Sequence, residues 1–369
     1  MSRTLHLVWN LIRGGTEGQC ARTAMELARR GHWQRVVVFR REGFFLPMVE
    51  ATCGPVEEIG IRGLARWSTL MAVRRLARRL REEKVEVLHA WDADAAIFGQ
   101  FAASMAGVPL LTSRRDLGQI YPPHKVWLMR RADTRARYIV ANAGAIVDTF
   151  TGQGADRAKF RVIPNILDVA EADRLAEVPF SRRSELPPDE RVVMVARLDP
   201  EKDVPTFLAA AELILKQHPE ASFVIAGDGA ERPALMSLAS HHRFEGRLVF
   251  LGDVTEVPAL LRVCRIGVLT PSRNEGLSNT ILEYMAAGLP VVATDCGGNR
   301  ELVSPGQGGS ITPIGDAEKL AHAVLELLRK PTLARSMGAF NRMRVEQEFQ
   351  PAVVGNRFEA LYAETVRLN

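Results

Sequence analysis

Cysteine, tyrosine and long apolar runs are scarce in this sequence of 369 residues. It contains four cysteines and four tyrosines, and no two cysteines form a C-x-x-C pair. This pattern excludes a small disulfide scaffold, a zinc knuckle and a dithiol redox site, and it fits a reducing compartment. The most apolar stretch, residues 95–111, is interrupted by polar residues, glycine and proline, whereas a membrane-spanning helix needs about 20 predominantly apolar residues.

A signal peptide is not evident either. The apolar run within residues 1–10 is too short for a signal-peptide core, and no small-residue cleavage site follows it. We therefore expect a cytoplasmic location, with association at the inner face of a membrane left open.

Positive charge is concentrated in the first half of the chain. Residues 1–180 carry 27 basic and 19 acidic side chains, while residues 181–369 carry 21 and 24. The densest basic cluster, from Arg74 to Arg81, lies in segment 69–83, whose apolar residues recur at helical spacing. Such a helix fits an anionic membrane or an acidic substrate, and it also fits a solvated surface helix rich in arginine. We expect no nucleic-acid partner.

The order of strand-like and helical patterns predicts an α/β fold. At about 150 residues per domain the length indicates two domains. In both halves apolar runs of strand type alternate with helical patterns, which is typical of doubly wound parallel sheets. We predict two Rossmann-like domains that face each other across a cleft, with ligands at the carboxyl ends of the strands. The predicted boundaries are 1–170 for the first domain, 171–190 for a hinge, 191–348 for the second domain and 349–369 for a helix that returns toward the first domain.

The predicted elements are placed by these patterns. Strands are predicted over 5–10, 35–39, 85–90, 110–113, 138–141, 160–163, 191–195, 222–226, 248–251, 266–269 and 291–294. Helices are predicted over 17–30, 69–83, 93–106, 143–151, 204–217, 232–241, 257–263, 278–287 and 351–369.

Two basic residues follow the first predicted strand of the second domain. Arg197 and Lys202 lie in the segment ARLDPEKD, where a loop at a strand end can direct both side chains into a cleft. A guanidinium and an ammonium group together match the charge of a diphosphate. The same segment also contains three acidic residues, so internal ion pairing in a solvated loop explains these two residues equally well.

A loop and a helix further along the chain favour the phosphate interpretation. In the segment PSRNEGLSNTILEYMAAGLPVV, a turn through Asn274 and Gly276 leads to a helix that begins near Ser278. The first amides of a helix lack intrahelical partners and the helix dipole favours anions, so this helix start is a natural phosphate site. Glu275 stands before the helix and Glu283 about one turn inside it. Carboxylates at these places suit the hydroxyls of the sugar and of the ribose, at opposite ends of a nucleotide sugar.

Two other interpretations of the glutamate pair need to be weighed. The pair could be the carboxyl groups of a glycoside hydrolase, which stand about 5 to 9.5 Å apart. Eight helical residues span about 12 Å, so hydrolysis would require the loop to fold back. Alternatively, both glutamates could be structural charges that interact with the helix dipole.

These motifs resemble the large retaining glycosyltransferase family 4 of the GT-B fold, also called glycosyl transferases group 1. The matching segments are GGTEGQ, RLDPEKD, IAGDGAER, VFLGDV and the E-x7-E block EGLSNTILEYMAAGLPVVATDCGGNREL. They extend from about residue 12 to residue 303 and so cover both predicted domains. The E-x7-E block and the R-x4-K spacing carry most of the resemblance, because glycine loops alone are weak signals.

The resemblance implies roles for the matching residues. Arg197 and Lys202 would bind the donor diphosphate and stabilise it as it leaves, Glu275 would hold the sugar, and Glu283 the ribose. The other donor-binding positions that it implies are Gly15, Thr16, Glu17, Gly227, Gly229, Gly252, Gly276, Leu277, Ser278 and Asn279. The resemblance also implies that the anomeric configuration is retained without a protein nucleophile, by attack on the face that the leaving group vacates.

We expect neither a bound metal nor another cofactor. Once two cations neutralise the diphosphate, its departure is assisted electrostatically and needs no divalent metal. The sequence does contain the D-x-D pattern of metal-dependent GT-A enzymes, at Asp92 and Asp94. Because this pattern lies between a predicted strand and a predicted helix, we interpret it as a helix N-cap.

The acceptor side departs from the family pattern. Many members carry a histidine after the strand that corresponds to residues 110–113, whereas this chain has Arg114, Arg115 and Asp116. Either Asp116 assists the acceptor hydroxyl, or the arginines bind an anionic donor or acceptor, or the residues only cap a loop. His89, at the end of another predicted strand, is either an acceptor-site residue or a packed strand-end residue.

The predicted function is transfer of a hexose-type sugar from a nucleotide diphosphate donor, with UDP favoured, to a glycan or lipid-linked acceptor in cell-surface polysaccharide biosynthesis. The catalytic candidates are Arg197, Lys202, Glu275 and Asp116. The rival functions are nucleotide-sugar binding without catalysis, and the reactions of a GT-B epimerase or phosphorylase. A dehydrogenase is disfavoured because no G-x-G-x-x-G follows any predicted strand.

Overall fold

The computed structural model describes residues 2–61, 67–241 and 244–368. The strands in this part of the chain are β1 (Arg3–Val8), β2 (Trp33–Val38), β3 (Glu57–Glu58), β4 (Val87–Ala90), β5 (Leu110–Arg114), β6 (Tyr138–Ala141), β7 (Phe160–Val162), β8 (Arg191–Val195), β9 (Ser222–Ala226), β10 (Leu248–Gly252), β11 (Ile266–Leu269), β12 (Val291–Thr294) and β13 (Gly309–Thr312).

The helices alternate with these strands. They are α1 (Gly15–Arg29), α2 (Leu46–Cys53), α3 (Trp67–Glu82), α4 (Ala93–Ala106), α5 (Pro123–Arg135), α6 (Gly144–Gly152), α7 (Val169–Glu177), α8 (Val204–Leu215), α9 (Arg232–Ser240), α10 (Val257–Leu261), α11 (Asn279–Ala286), α12 (Asn299–Leu302), α13 (Ala317–Arg329), α14 (Pro331–Glu348) and α15 (Pro351–Arg367). Short 3₁₀ turns lie at Arg157–Lys159, Arg183–Glu185 and Pro200–Lys202. No helix of the described residues combines the length and the apolar character that a membrane span requires.

The chain divides into two compact units. Unit 1 comprises Met1–Ile166 together with Pro351–Asn369, and unit 2 comprises Leu167–Gln350. Helix α15 therefore belongs to unit 1. The segment for which the sequence predicts a hinge, 171–190, lies within unit 2.

Local contacts explain why the predicted hinge begins as a helix of unit 2. The Asp168 side chain caps α7 by accepting a hydrogen bond from the Glu171 amide at 3.0 Å. Asp173 forms an ion pair with Arg342 of α14 at 2.6 Å. The polar residues of 171–177 thus belong to a packed helix, and the proline-containing remainder of the predicted hinge follows that helix.

Each unit contains one parallel sheet. The strand order is β3-β2-β1-β4-β5-β6-β7 in unit 1 and β10-β9-β8-β11-β12-β13 in unit 2, which confirms the prediction of two Rossmann-like α/β sheets. In both sheets the direction of strand addition reverses beside the first strand, between β1 and β4 and between β8 and β11. Open α/β sheets bind ligands at the carboxyl ends of the strands that flank such a switch point.

Two helical layers cover the sheet of unit 1. Helices α1, α2 and α15 pack on one face, and α3, α4 and α5 pack on the other. Along β1, Leu5 and Leu7 contact the α3–α5 layer whereas Val8 contacts the opposite layer, because successive side chains of a strand alternate between faces. Burial of both faces explains why most of these strands read as continuous apolar runs.

Candidate functional site

A lysine and a glutamate join two loops at the switch point of unit 2. Lys202, in the turn after β8, lies 2.6 Å through Nζ from Oε2 of Glu275, in the loop after β11. The two side chains are only 19% and 11% exposed. Because partial burial lowers the local dielectric, their attraction is stronger than that of a surface pair, and both charged groups are held in position.

Hydrogen bonds between the same two loops support this pair. The Thr270 hydroxyl donates to the backbone oxygens of Lys202 and Asp203 at 2.9 and 3.0 Å, and the Ser272 amide donates to the Glu201 oxygen at 2.8 Å. The lysine therefore stands on a turn that is fixed against β11.

A buried tyrosine also holds the strand ends together. The Tyr284 hydroxyl accepts a hydrogen bond from the Val195 amide at 2.6 Å and donates to the Val268 oxygen at 3.2 Å. A Cβ atom on Gly267 would overlap the tyrosine ring, so this position of β11 must be glycine. Tyr284 is not among the predicted site residues. The signal that could have identified it is an aromatic residue inside the E-x7-E block, next to Glu283.

Three of the predicted donor-site glycines lie where backbones touch. A Cβ atom on Gly227 would overlap the Ala196 oxygen, and one on Gly229 would overlap the Leu198 backbone. The Gly227 amide donates to the Gly252 oxygen at 2.7 Å, so the loops after β8, β9 and β10 are in contact. These glycines thus have a packing role whether or not they bind a ligand.

The start of α11 is held by the loop after β12. Ser278 caps the helix, its hydroxyl accepting from the Ile281 amide at 3.3 Å. A Cβ atom on Gly297 would overlap the Glu275 oxygen, and the amide of Gly298 donates to the Gly276 oxygen at 3.0 Å. The segment 276–279, with the buried Leu277 and the first helical residue Asn279, is thereby fixed next to Glu275.

Arg197 differs from Lys202 in being open to solvent. Its side chain is 73% exposed and pairs with Asp199 at 2.7 Å and Glu201 at 3.5 Å. The internal pairing that the sequence left open is therefore present. Because exposed ion pairs stabilise by only about 0 to 1 kcal/mol, the guanidinium can exchange these partners for a ligand at little cost.

Glu283 lies in a different environment from Glu275. It lines a cavity of about 330 Å³ between α7, α10, α11 and α14, whose walls also include Pro258, Leu261 and Arg342. The two glutamates of the E-x7-E block therefore lie in different surroundings: Glu275 contacts Lys202, and Glu283 lines this cavity.

In unit 1 the glycine-rich loop leads directly into α1. Gly15, Thr16 and Glu17 are the first three residues of that helix, and Gly14, which precedes them, provides no side-chain cap. A Cβ atom on Gly14 would overlap the carboxylate of Glu17, so a larger residue there would require the flexible Glu17 side chain to move.

Arg114 does not have the acceptor-facing position that the sequence left open for it. It is 3% exposed, and its Nη2 lies 2.5 Å from Oδ1 of Asp133 on α5. The Asp133 carboxylate also accepts a hydrogen bond from Thr112 at 2.8 Å. Because the buried Asp133 carboxylate on α5 binds the Arg114 guanidinium, the Arg114 side chain holds α5 to the sheet.

His89 is likewise a packed strand-end residue rather than one exposed to an acceptor. It is fully buried, and its Nδ1 and Nε2 lie 2.7 Å from the Tyr362 hydroxyl and 2.8 Å from the Ser113 hydroxyl. Burial holds the pKa of His89 well below its usual range, so the ring is neutral. Tyr362 lies more than 270 positions away along the chain, so no local pattern could place it in this network.

Arg115 and Asp116 are less enclosed. Arg115 donates to Asn165 at 2.7 Å and lies 4.7 Å above the Trp91 ring, and burial lowers its pKa to about 10. Asp116 accepts hydrogen bonds from the Gly118 amide at 2.7 Å and the Tyr121 hydroxyl at 3.1 Å. Burial nevertheless raises the pKa of Asp116. Asp116 therefore caps its loop and also has a carboxylate that is more basic than usual.

The D-x-D pattern is a helix cap, as predicted. Asp92 caps α4 by accepting from the Ala95 amide at 2.8 Å, and it also accepts from the Trp9 amide at 2.7 Å. Asp94 pairs with Lys125 at 2.8 Å. Among the residues that the structure describes, no three histidine, cysteine or acidic side chains converge closely enough to hold a metal ion.

Two family models match the chain, one in each half. The model described as Glycosyltransferase Family 4 matches residues 13–171, and the model described as Glycosyl transferases group 1 matches residues 189–330. The alpha-D-kanosaminyltransferase of Streptomyces kanamyceticus is 28% identical over 90% of this chain and 90% of its own length. The glycogen synthase of Mycobacterium tuberculosis is 31% identical over 65% of this chain, which spans only 56% of that relative.

A solved structure shows the same fold along the whole chain. Anabaena Alr3699/HepE in complex with UDP and glucose superposes with a TM-score of 0.87 at 20% identity, covering 99% of this chain and 100% of that one. The two family models together with this likeness define both the family and the fold: the chain belongs to glycosyltransferase family 4, the group 1 glycosyl transferases, and has the GT-B fold.

Proposed function

We propose that the protein transfers a hexose-type sugar from a nucleotide diphosphate donor to a glycan or lipid-linked acceptor, with retention of anomeric configuration. The process in which we place it is cell-surface polysaccharide biosynthesis. The observation that carries the proposal is the Lys202–Glu275 pair at the switch point of unit 2, with the exposed Arg197 in the same loop. UDP is the first candidate nucleotide, because HepE was crystallised with UDP. The name of a relative from Corynebacterium glutamicum gives GDP-mannose as its donor, so the base must be tested.

The two cations suit the departing diphosphate. Lys202 supplies a charge held in place by Glu275, and Arg197 supplies a planar donor that is free to turn toward the phosphates. Charge that develops on the leaving oxygen is stabilised most by groups that are already oriented toward it. We therefore propose that these two side chains replace a divalent metal, and that no other cofactor takes part.

The two glutamates suit the two ends of the donor. A carboxylate has about four acceptor positions, so the lysine contact on Oε2 leaves Glu275 able to accept hydrogen bonds from sugar hydroxyls. Glu283 would accept from the ribose hydroxyls. The amides of Gly15, Thr16 and Glu17 and of segment 276–279, with the three glycines of the neighbouring loops, would complete the donor site.

In the proposed reaction, the bond between the anomeric carbon and the diphosphate oxygen breaks while the acceptor hydroxyl attacks the face that the diphosphate leaves. The new glycosidic bond then has the donor's configuration. The acceptor proton passes to the departing diphosphate oxygen. Asp116 is the unit 1 residue that we assign to hold the acceptor hydroxyl, since burial makes its carboxylate more basic, and Arg115 would bind an anionic group of the acceptor.

A donor panel tests this proposal. The purified protein is heated with UDP, GDP and ADP and with the corresponding sugar conjugates, and a ligand present at 100 times its Kd should stabilise the folded state by about 2.7 kcal/mol. Glu283→Ala should weaken binding of the nucleotide, whereas Glu220→Ala, at a side chain that is 77% exposed, should not. The proposal fails if no nucleotide raises the melting temperature, or if EDTA abolishes transfer.

Incubation with the bound donor separates the rival functions. Without an acceptor, a transferase should release free sugar slowly, whereas an epimerase would convert the donor sugar to its epimer. Binding without turnover of any acceptor would instead identify a nucleotide-sugar-binding protein.

A further inference from the structure

The strand order of unit 2 sets the order in which its loops can contact a donor. Neighbouring strands of the sheet are β10, β9, β8 and β11. Glu275 follows β11, and Arg197 and Lys202 follow β8. In the proposed function the sugar lies at the first of these loops and the diphosphate at the second. The nucleoside, at the other end of the diphosphate, therefore extends toward the loops after β9 and β10.

Backbone hydrogen bonds fix the loop after β9 against the loop that carries the two cations. The Leu198 amide donates to the Asp228 oxygen at 2.9 Å, and the Glu231 amide donates to the Leu198 oxygen at 3.0 Å. Leu198 directly follows Arg197 along the chain. The segment 228–232 therefore has a fixed position beside the proposed diphosphate site.

An arginine and an aspartate stand side by side in this segment. Nη1 of Arg232 lies 3.5 Å from Oδ2 of Asp228, and the two side chains are 35% and 51% exposed. The Gly229 amide orients the carboxylate by donating to its Oδ1 at 2.8 Å. Within the described part of the chain, the Nε atom of Arg232 is buried without a hydrogen-bond partner. Because its ion pair with Asp228 is long, the guanidinium is not committed to internal structure.

A glycine in the neighbouring loop leaves this pair uncovered. Gly252, the last residue of β10, has a φ of 68°, in the left-handed region that favours glycine. A Cβ atom on Gly252 would stand 3.5 Å from Nη2 of Arg232 and 3.7 Å from Oδ2 of Asp228. A longer side chain at this position would cover the polar ends of both residues, whereas glycine leaves them open to a flat ligand.

The two side chains together present a hydrogen-bond donor next to an acceptor. A guanidinium group only donates hydrogen bonds, and an ionised carboxylate only accepts them. Uracil and guanine carry the complementary arrangement, which is a keto oxygen beside a ring N–H. Cytosine and adenine carry the reverse arrangement, which is an amino group beside a ring nitrogen without hydrogen.

We propose that Arg232 and Asp228 read the base of the donor and select a keto base, uracil or guanine, over cytosine and adenine. Arg232 donates to the keto oxygen, and Asp228 accepts from the adjacent ring N–H. The inference rests on the proposed function, because a diphosphate bound by Arg197 and Lys202 determines which edge of the base reaches the pair.

Matched nucleotides test the proposal. UDP and CDP differ only in this edge of the base, and GDP and ADP are the corresponding purines. Calorimetry with the full chain shows which pair binds more tightly, and this identifies the size of the base. In that pair, the Kd of the keto nucleotide should be about 10- to 100-fold below that of the amino nucleotide, the usual effect of a hydrogen bond to a charged group.

Variants assign the preference to the two side chains. Arg232→Met should abolish it, so that the keto and amino nucleotides bind almost equally. Asp228→Ala, at a half-exposed side chain, should reduce it without a risk to folding. Lys202→Met should weaken both nucleotides alike, because it acts on the diphosphate. Arg265→Met is the matched control and should keep the preference, since Arg265 is 50% exposed and precedes β11 at the opposite edge of the sheet.

Three outcomes contradict the proposal in different ways. Equal affinity of the unaltered chain for the keto and amino nucleotides would overturn base reading and leave the proposed transfer standing. Equal weakening of both nucleotides in Arg232→Met would also overturn it, because the arginine would then act on the phosphates. If the unaltered chain bound no nucleoside diphosphate, the proposed function would fail, and this inference would fail with it.

Discussion

The carboxyl edges of the two sheets have the same strand order around the switch point but use polar residues differently. At the unit 2 edge, Lys202 and Glu275 form a partly shielded pair and Arg197 is open to solvent. At the unit 1 edge, Arg114 and His89 are buried and hydrogen-bonded to other parts of the unit. The same topology thus leaves Arg197 open to solvent at the edge of unit 2 and buries Arg114 against Asp133 at the edge of unit 1.

The largest expected effect follows from removing the buried arginine of unit 1. Arg114→Met should lower the free energy of unfolding by about 3 to 5 kcal/mol, because it leaves the buried Asp133 carboxylate without its partner. Urea denaturation measures the loss. Arg114→Met combined with Asp133→Leu should recover most of it, since a buried ion pair and an apolar pair of similar volume differ little in stability. A loss below about 1 kcal/mol in the single variant would show that the pair is not structural.

The corresponding change in unit 2 should act on turnover. Lys202→Met should reduce kcat/KM by about 100- to 1000-fold, the usual effect of losing one preorganised group at a developing charge. Lys216→Met is the matched control, because Lys216 is 63% exposed and lies at the end of α8. Steady-state kinetics with the best donor measure kcat/KM for both variants. An unchanged kcat/KM in Lys202→Met would show that Lys202 does not take part in transfer.

Acid should weaken the buried network of unit 1. Burial lowers the pKa of His6 to about 4, whereas the unfolded chain titrates near 6.5. Between these values the unfolded state binds more protons, so the His6 contribution to stability is complete above pH 6.5 and is lost as the pH falls toward 4. Relative to His6→Gln, the unaltered chain should lose up to about 3 kcal/mol across this window.

Comparison with His6→Gln is necessary because another buried group acts in the opposite sense. Burial raises the pKa of Asp92 to about 6, which favours the folded state as the pH falls. This carboxyl is present in both proteins, so its effect cancels from the difference. Urea denaturation at several pH values gives the two profiles, and parallel profiles would contradict the prediction.

The smallest expected stability effect belongs to Arg197. Arg197→Ala should change the free energy of unfolding by less than about 0.5 kcal/mol, because its ion pairs are exposed. It should nevertheless weaken binding of the nucleotide diphosphate, as measured by calorimetry. A marked loss of stability with unchanged donor affinity would assign this arginine a structural role like that of Arg114.

The sequence predicted the central strands well because burial on both faces leaves a strong signal. The predicted bounds of the strands 138–141, 191–195, 222–226, 266–269 and 291–294 are those observed. Strand β13, with sequence GSIT, was missed because two of its four residues are glycine and serine. Helix α5 was missed because prolines at its start read as a loop, although proline is well suited to the first turn of a helix.

The candidate site was predictable in its parts but not in its contacts. The sequence identified Lys202 and Glu275, yet nothing in it joins two residues 73 positions apart into one ion pair. Arg114 and Arg115 are chemically identical neighbours, but Arg114 lies on the face of Asp133 and is buried as an ion pair, whereas Arg115 donates to Asn165. Fold-level patterns are local, whereas the assignment of a charged residue to structure or to ligand depends on distant partners.

The return of α15 to unit 1 has a consequence for synthesis. Tyr362 closes the hydrogen bonds of His89, and Glu359 pairs with Arg30, so this helix supplies part of the unit's interior. All of unit 2 is translated between β7 and α15. During synthesis, unit 1 therefore lacks α15 until unit 2 has left the ribosome, and the apolar surface that α15 covers stays exposed in that interval. A chaperone would be most useful at this stage.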